Sequence, residues 1–144
     1  MTRSNVIDVN VWLALLCQSH THHGRSLRWY GGLTAEEGGL CRVAHVSLIR
    51  LLCTQKVMGS DTLPAASAWL RVEELLEDER VLFLSEPQGF DAIWPTLLRY
   101  RQPTPSLVPD SYLAAFAMAG GHKLVTFDRG FLEFRGLEVE ILGG

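Results

Sequence analysis

Three aspartates, Asp8, Asp110 and Asp128, stand where a chain of this kind can place chemistry. Asp8 follows Asn5-Val6-Ile7, and Asp128 follows Lys123-Leu124-Val125-Thr126-Phe127, two short apolar runs that read as strands. Open α/β sheets keep their ligands beyond the carboxyl ends of their strands, so both acids fall where a site is expected. Asp110 lies in the opening turn of a helix that Pro109 starts and Gly120-Gly121 ends. Proline there lacks only an N–H that has no partner, and glycine supplies the left-handed exit. If the two strands are neighbours in a parallel sheet, the three acids meet in one cleft. Clustered carboxylates repel, and a fold keeps them together by protonating one or by binding a hard divalent cation such as Mg²⁺ or Mn²⁺. Each acid also has a local explanation: Asp starts helices, favours their positive end and opens turns. The shared strand-end placement is what joins the three into one site.

The elements that position them follow from length and pattern. At 144 residues the chain suffices for a single domain, 1–144, burying about two-thirds of the surface its unfolded chain exposes. A content of 47% hydrophobic and 20% charged residues excludes disorder as the main state. The net charge of −3 does not advertise nucleic-acid binding, so any such contact uses a local patch or a metal that inverts the sign of the acidic site. Cys17, Cys41 and Cys53 are odd in number and lack CxxC spacing, which reads as reduced core thiols. Arg3 precedes an apolar run from Val6 to Leu16, but Asp8 and Asn10 interrupt it, so no signal peptide is expected. No stretch reaches the length of a membrane span, and the cytoplasm is the expected compartment.

In chain order, the spacing predicts a helix from Asn10 to about Gln18, then the cluster His20-Thr21-His22-His23 and a second helix through Trp29-Tyr30 to Gly31-Gly32. The histidines invite a zinc reading, but structural zinc draws Cys or His from two separate places and no second cluster exists, so a polar connector is expected. Glu36-Glu37-Gly38-Gly39 reads as a polar turn, Leu40–Val43 as a second strand and His45–Met58 as one helix. Asp61-Thr62 is expected to cap a helix over Ala65–Glu77 whose acidic end is a solvated face. Val81–Leu84 is a buried strand, Gln88–Arg101 a helix broken or kinked at Pro95, and Leu137–Leu142 an edge strand. Alternation of this kind implies an α/β fold: a mainly parallel sheet of four to five strands covered by helices on both faces, a three-layer domain.

The segments VIDVNVWLALL, SHTHHGRSLRWY, VSLIRLLCT, VPDSYLAAFA and KLVTFDRGF, in this order, make the chain resemble the PIN-domain ribonucleases, and within them the VapC-type toxins of bacterial toxin–antitoxin pairs. The resemblance covers nearly the whole chain. It implies a Mg²⁺- or Mn²⁺-dependent endoribonuclease that hydrolyses RNA with a metal-activated water, a cognate antitoxin and a homodimer. Asp8, Asp110 and Asp128 are its implied catalytic and metal-binding residues. Asn10 and Thr126 resemble the polar residues that orient a carboxylate or water at the substrate wall; Arg129, Arg50 and Arg101 are candidates to hold the RNA backbone, each equally accounted for as a surface charge, and Arg129 is the one expected to do so because it adjoins Asp128. Asn10 as a helix cap and Thr126 as an ordinary strand residue are the plainer alternatives. One departure stands out. The family commonly carries a glutamate on the helix after the second strand, and the matching position reads as Leu48, with Glu36 or Glu37 as substitutes from the preceding loop. Three carboxylates in place of four imply weaker metal binding. They also leave open a second function, a catalytically degenerate module that binds RNA or a partner. A phosphotransfer domain is weaker still, because Asp8-Val9-Asn10 lacks a second acid.

Overall fold

The structure, a computed structural model, describes residues 4–99 and 101–143. Arg3, used above against a signal peptide, and Tyr100 within the expected Gln88–Arg101 helix lie outside the described residues. Five strands, β1 (Asn5–Ile7), β2 (Gly38–Cys41), β3 (Val81–Leu84), β4 (Lys123–Thr126) and β5 (Val139–Ile141), alternate with helices α1 (Val9–Leu16), α2 (His23–Gly31), α3 (Arg42–Leu52), α4 (Gln55–Met58), α5 (Ala65–Leu76), α6 (Phe90–Leu98) and α7 (Leu107–Gly120). All strand pairs are parallel and the sheet order is β3-β2-β1-β4-β5. The chain adds β2 and β3 on one side of β1 and β4 and β5 on the other, so the winding reverses between β1 and β4. This is the crevice at which open α/β sheets bind ligands. Ile7 pairs with Val125, which sets Asp8 and Asp128 one and three residues beyond the paired positions of adjacent strands.

Helices α1, α3 and α5 pack together, while α6 and α7 form a second group, α7 lying on β1 and β4. Ala114, Ala115 and Ala117 of α7 are fully buried, and small side chains allow this close helix–sheet approach. Trp12, Phe116, Phe131 and Leu48 are among the largest side chains of the shared core.

Several boundaries differ from the sequence reading, each for a local reason. Gly38-Gly39 is strand, not turn. A Cβ on Gly39 would lie 2.2 Å from the Asn5 carbonyl oxygen and 2.3 Å from Leu84 Cδ1, so glycine here marks close approach of neighbouring strands. The expected Leu40–Val43 strand therefore shifts to Gly38–Cys41, and α3 begins at Arg42. That helix stops at Leu52, where Thr54 turns extended and its hydroxyl bonds the Arg50 carbonyl, leaving α4 separate. Asp61-Thr62 does not cap α5. Asp61 belongs to a 3-10 turn, the Thr62 hydroxyl donates to the Gly59 carbonyl, and extended Pro64 precedes the first helical residue. Helix α6 runs through Pro95. Helix α7 starts at Leu107, two residues early, which still keeps Pro109 in the first turn, where its missing N–H costs no bond; Gly121 takes the left-handed exit at φ 67°.

The acidic end of α5 is not wholly solvated. Arg80 holds Asp78 through Nε and Nη2 at 3.0 and 2.7 Å and lies over the Tyr30 ring, whose hydroxyl donates to the same carboxylate at 2.7 Å. These bonds, Arg80's first, hold the Asp78 carboxyl below the usual range and pin α2 to the start of β3.

Candidate active site

Three helix starts deliver the acids. Asp8 is the residue before α1, Asp110 lies in the first turn of α7, and Asp128 precedes the 3-10 turn Arg129–Glu133. Unpaired N–H groups at each start favour negative charge, so the local and the functional explanations of these residues hold together. The three side chains line one cleft of about 320 Å³ with Asn10, Ser106, Pro109 and Leu113, and with Val43, Ala44, Ser47 and Arg50 of α3.

Thr126 ties two of the acids. Its hydroxyl donates to Asp8 Oδ2 at 2.7 Å and accepts from the Asp128 N–H at 3.0 Å. Asp128 is turned by a second bond, Gly130 N–H to Oδ1 at 2.8 Å. The start of α7 is braced from behind: Trp94 of α6 donates through Nε1 to Ser111 Oγ at 2.9 Å, and that hydroxyl donates to the Val108 carbonyl at 3.1 Å. Burial pushes the Asp8 carboxyl up; the Thr126 and Val9 hydrogen bonds oppose this, and the Asp128 charge adds to it. Asp110 is pushed up to about 6, by burial first and then by Asp8 and Asp128, against a hydrogen bond from Ser106. The cleft thus holds more negative charge than it neutralises.

An all-oxygen donor set under mutual repulsion fits a hard divalent cation. Among the described residues, however, no three His, Cys, Asp or Glu side chains are gathered tightly enough to cage an ion. Such an ion would be held by one or two of these carboxylates and would keep part of its water shell.

The residues expected to accompany the acids divide. Asn10 is exposed at the cleft wall in the first turn of α1; the position before that helix is Asp8, so Asn10 is not its cap. Thr126 is fully buried with its hydroxyl engaged twice, so it positions acids and does not meet substrate. Arg129 is exposed beside Asp128 but does not line the cleft. Leu48 is corrected: it is fully buried in the core, and the cleft face of α3 is Val43, Ser47 and Arg50, spaced i, i+4, i+7. The helix offers a hydroxyl and a cation there, not a carboxylate. Glu36 and Glu37 cannot substitute. They precede β2 at the opposite end of the sheet, and the Glu37 carboxylate accepts bonds from Thr34. The i, i+4, i+7 spacing is the signal by which Ser47 and Arg50 are readable in sequence.

The histidines form a connector. His23 Nδ1 meets the Ala14 carbonyl at 2.7 Å, and the His22 ring packs on Phe127 with centroids 4.6 Å apart, which ties the α1–α2 turn to the end of β4.

A PIN-domain family model matches residues 6–137. Ribonuclease VapC41 of Mycobacterium tuberculosis is 37% identical over 140 residues, covering 94% of this chain and 96% of that protein. Ribonuclease VapC38 of the same organism is 29% identical, covering 87% of this chain and 85% of that one. Among solved structures, Mycobacterium tuberculosis VapC20, a sarcin-ricin loop cleaving toxin, matches with a TM-score of 0.68 at 18% identity, over 97% of this chain and 100% of that one. DNA-bound VapBC from Salmonella typhimurium gives 0.68 at 17% identity, over 98% of each chain. The solved structures agree in fold, the curated relatives agree in sequence almost end to end, and the chain belongs to the PIN-domain family and within it to the VapC-type branch.

Proposed function

We propose that this protein is a Mg²⁺- or Mn²⁺-dependent endoribonuclease, the toxin of a toxin–antitoxin pair acting in the cytoplasm. The observation that carries the reading is the convergence of Asp8, Asp110 and Asp128 on one cleft at the point where the sheet reverses its winding. The ribonuclease name of the end-to-end relatives and the toxin–antitoxin complexes among fold neighbours support it. When bound, the cation would lower the pKa of water and neutralise charge on the scissile phosphate. Asp8 and Asp110 would hold the ion, and Asp128, fixed by Thr126 and Gly130, would complete the negative wall beside it. Asn10 is exposed at the same wall, where its amide can bond a phosphate oxygen or an ordered water. Water would attack phosphorus in line, the P–O3′ bond would break as the new P–O bond forms, and the proton lost by the water would be made up on the departing O3′, leaving a 3′-hydroxyl and a 5′-phosphate. Arg129 takes the RNA backbone outside the cleft mouth.

A cognate antitoxin and a homodimer belong to the same reading. Val46, Trp69 and Leu70 are large, apolar and exposed on α3 and α5, which supports association. No helix among the described residues is long and apolar enough to cross a membrane. The non-enzymatic alternative is not favoured, since the three acids share one cleft and the end-to-end relatives are ribonucleases.

The test is cleavage of structured RNA in Mn²⁺ by the purified chain and by Asp8→Asn. We expect wild-type cleavage to fall at least about a hundredfold in the variant, beyond the usual cost of an outer-shell partner. Cleavage that survives Asp8→Asn overturns the site, and absence of cleavage in both overturns the enzyme.

A further inference from the structure

A cation lines the same cleft as the acids. Arg50, on the α3 face that also presents Val43 and Ser47, lines the same 320 Å³ space as Asp8, Asp110 and Asp128. Among the described residues no ion pair joins it to any of them. Arg50 is an exposed residue of the cleft lining, so its charge is open to whatever enters the cleft. The cleft has room for roughly ten waters, enough for a phosphodiester and a partly hydrated ion. A position in the last turn of α3 explains why a cation is tolerated at residue 50. It does not explain why the residue falls on the cleft face, which is fixed by the register of Val43, Ser47 and Arg50 along the helix. The backbone of α3 is anchored by fully buried Leu48 and nearly buried Leu52 on its other side, so that register cannot slip without exposing core.

We infer that Arg50, assisted by the Ser47 hydroxyl, is the substrate-positioning residue of this cleft, gripping the non-bridging oxygens of the phosphate. The inference rests on the ribonuclease reading and deepens it. The planar fork of arginine matches two phosphate oxygens at once, whereas lysine offers only a point charge. In this arrangement the α3 wall supplies positive charge to the phosphate directly. The carboxylates then need to hold only one ion, which fits a cleft in which no three acids form a cage. Arg50 therefore serves RNA and not the ion, and the two ligands respond in opposite directions when it is changed.

The experiment measures binding separately from turnover. In an Asp128→Asn background with Mg²⁺, a fluorescent single-stranded RNA is titrated over a range of salt. Arg50→Ala should weaken binding about tenfold or more and reduce the slope of log affinity against log salt by about 0.7, one phosphate contact to a single strand. Arg50→Lys should keep the slope and lose part of the affinity. Arg71→Ala, a cation on α5 turned away from this cleft, should change neither. In parallel, Mn²⁺ alone is titrated into otherwise unaltered chains by calorimetry. Arg50→Ala should bind Mn²⁺ as well as wild type or better, and Ser47→Glu should bind it more tightly while weakening RNA binding, because the new carboxylate would neutralise Arg50. Unchanged RNA affinity and slope in Arg50→Ala, with wild type still cleaving, overturn this inference alone. Loss of Mn²⁺ binding in Arg50→Ala overturns it by making Arg50 structural. A wild type that neither binds nor cleaves RNA overturns the ribonuclease reading and this inference with it.

Discussion

Replacing Asp110 by asparagine should make the protein more stable and useless. The carboxyl is pushed from 3.8 to about 6 by burial and by the charges of Asp8 and Asp128. At 1.36 kcal/mol per tenfold change in proton affinity, that is about 3 kcal/mol of penalty on the charged form in the folded state. The side chain is only partly buried, and solvent screening brings the figure down to about 1–2 kcal/mol. Asparagine keeps the shape and can still accept from Ser106, so the variant should gain about that much at pH 7.5, a rise of about 3–8 °C in Tm for a chain of this size. The pH dependence fixes the cause. Above pH 6 Asp110 is charged in both folded and unfolded chains and the penalty is complete. As pH falls from 6 towards 3.8 the folded carboxyl takes up its proton first, so wild type gains stability and the advantage of the variant shrinks. By pH 4 it should be almost gone. Thermal unfolding of both proteins in EDTA between pH 4 and pH 8 makes the measurement. Adding Mg²⁺ should stabilise wild type more than the variant, because the ion relieves the repulsion that the substitution has removed. A variant no more stable than wild type at pH 7.5, or an advantage that persists at pH 4, would refute the account of the cleft as an uncompensated acidic cluster.

Thr126→Val removes the hydroxyl that bonds Asp8 and receives Asp128; it should cost about 1.5–3 kcal/mol in chemical denaturation. It should also move the pH profile of Mn²⁺ binding to higher pH, since the bond that lowers the Asp8 pKa is gone. Gly39→Ala should destabilise by about 1–3 kcal/mol or abolish soluble expression, as its methyl meets backbone at 2.2 Å. Gly31→Ala, where a Cβ meets nothing within 4 Å in a helix, should stabilise by about 0.4–1 kcal/mol. His45 is buried with Nε2 unpaired, and burial, then Arg42, lowers its pKa. Wild type should therefore lose stability as pH falls below 6.5, and His45→Leu should gain on it more at pH 5 than at pH 8 in urea denaturation.

What could be read without coordinates was whatever a single local rule decides. Pro109 and Gly121 bounded α7 because a missing N–H and a positive φ are tolerated in few places, and Val81–Leu84 declared itself a strand by four apolar residues in a row, although it is not the buried strand expected: it is an edge of the sheet, half-buried beyond Val81. Gly38-Gly39 misled because the glycine signature of a turn and that of tight strand contact are the same letters; only the proximity of Asn5 and Leu84 separates them. The error at Leu48 has an angular origin. One residue along an α-helix rotates a side chain by about 100°, so reading residue 48 where residue 47 faces the acids exchanged a core position for a cleft wall. Arg129 is favoured over Arg50 in sequence because it adjoins Asp128, yet it is Arg50, 78 positions before Asp128, that shares the cleft.

The seating of each of the three cleft aspartates at a helix start bears on how such a protein ages in evolution. A descendant that no longer cuts anything would still profit from an acid at each of those points, so selection for folding alone could preserve the trio as relics. Ser47 has no comparable claim on the architecture, and the last turn of α3 favours any cation at residue 50 without requiring arginine, so these two positions would drift first. Among distant kin, the identity of those two positions should therefore sort working copies from retired ones more sharply than the acids do.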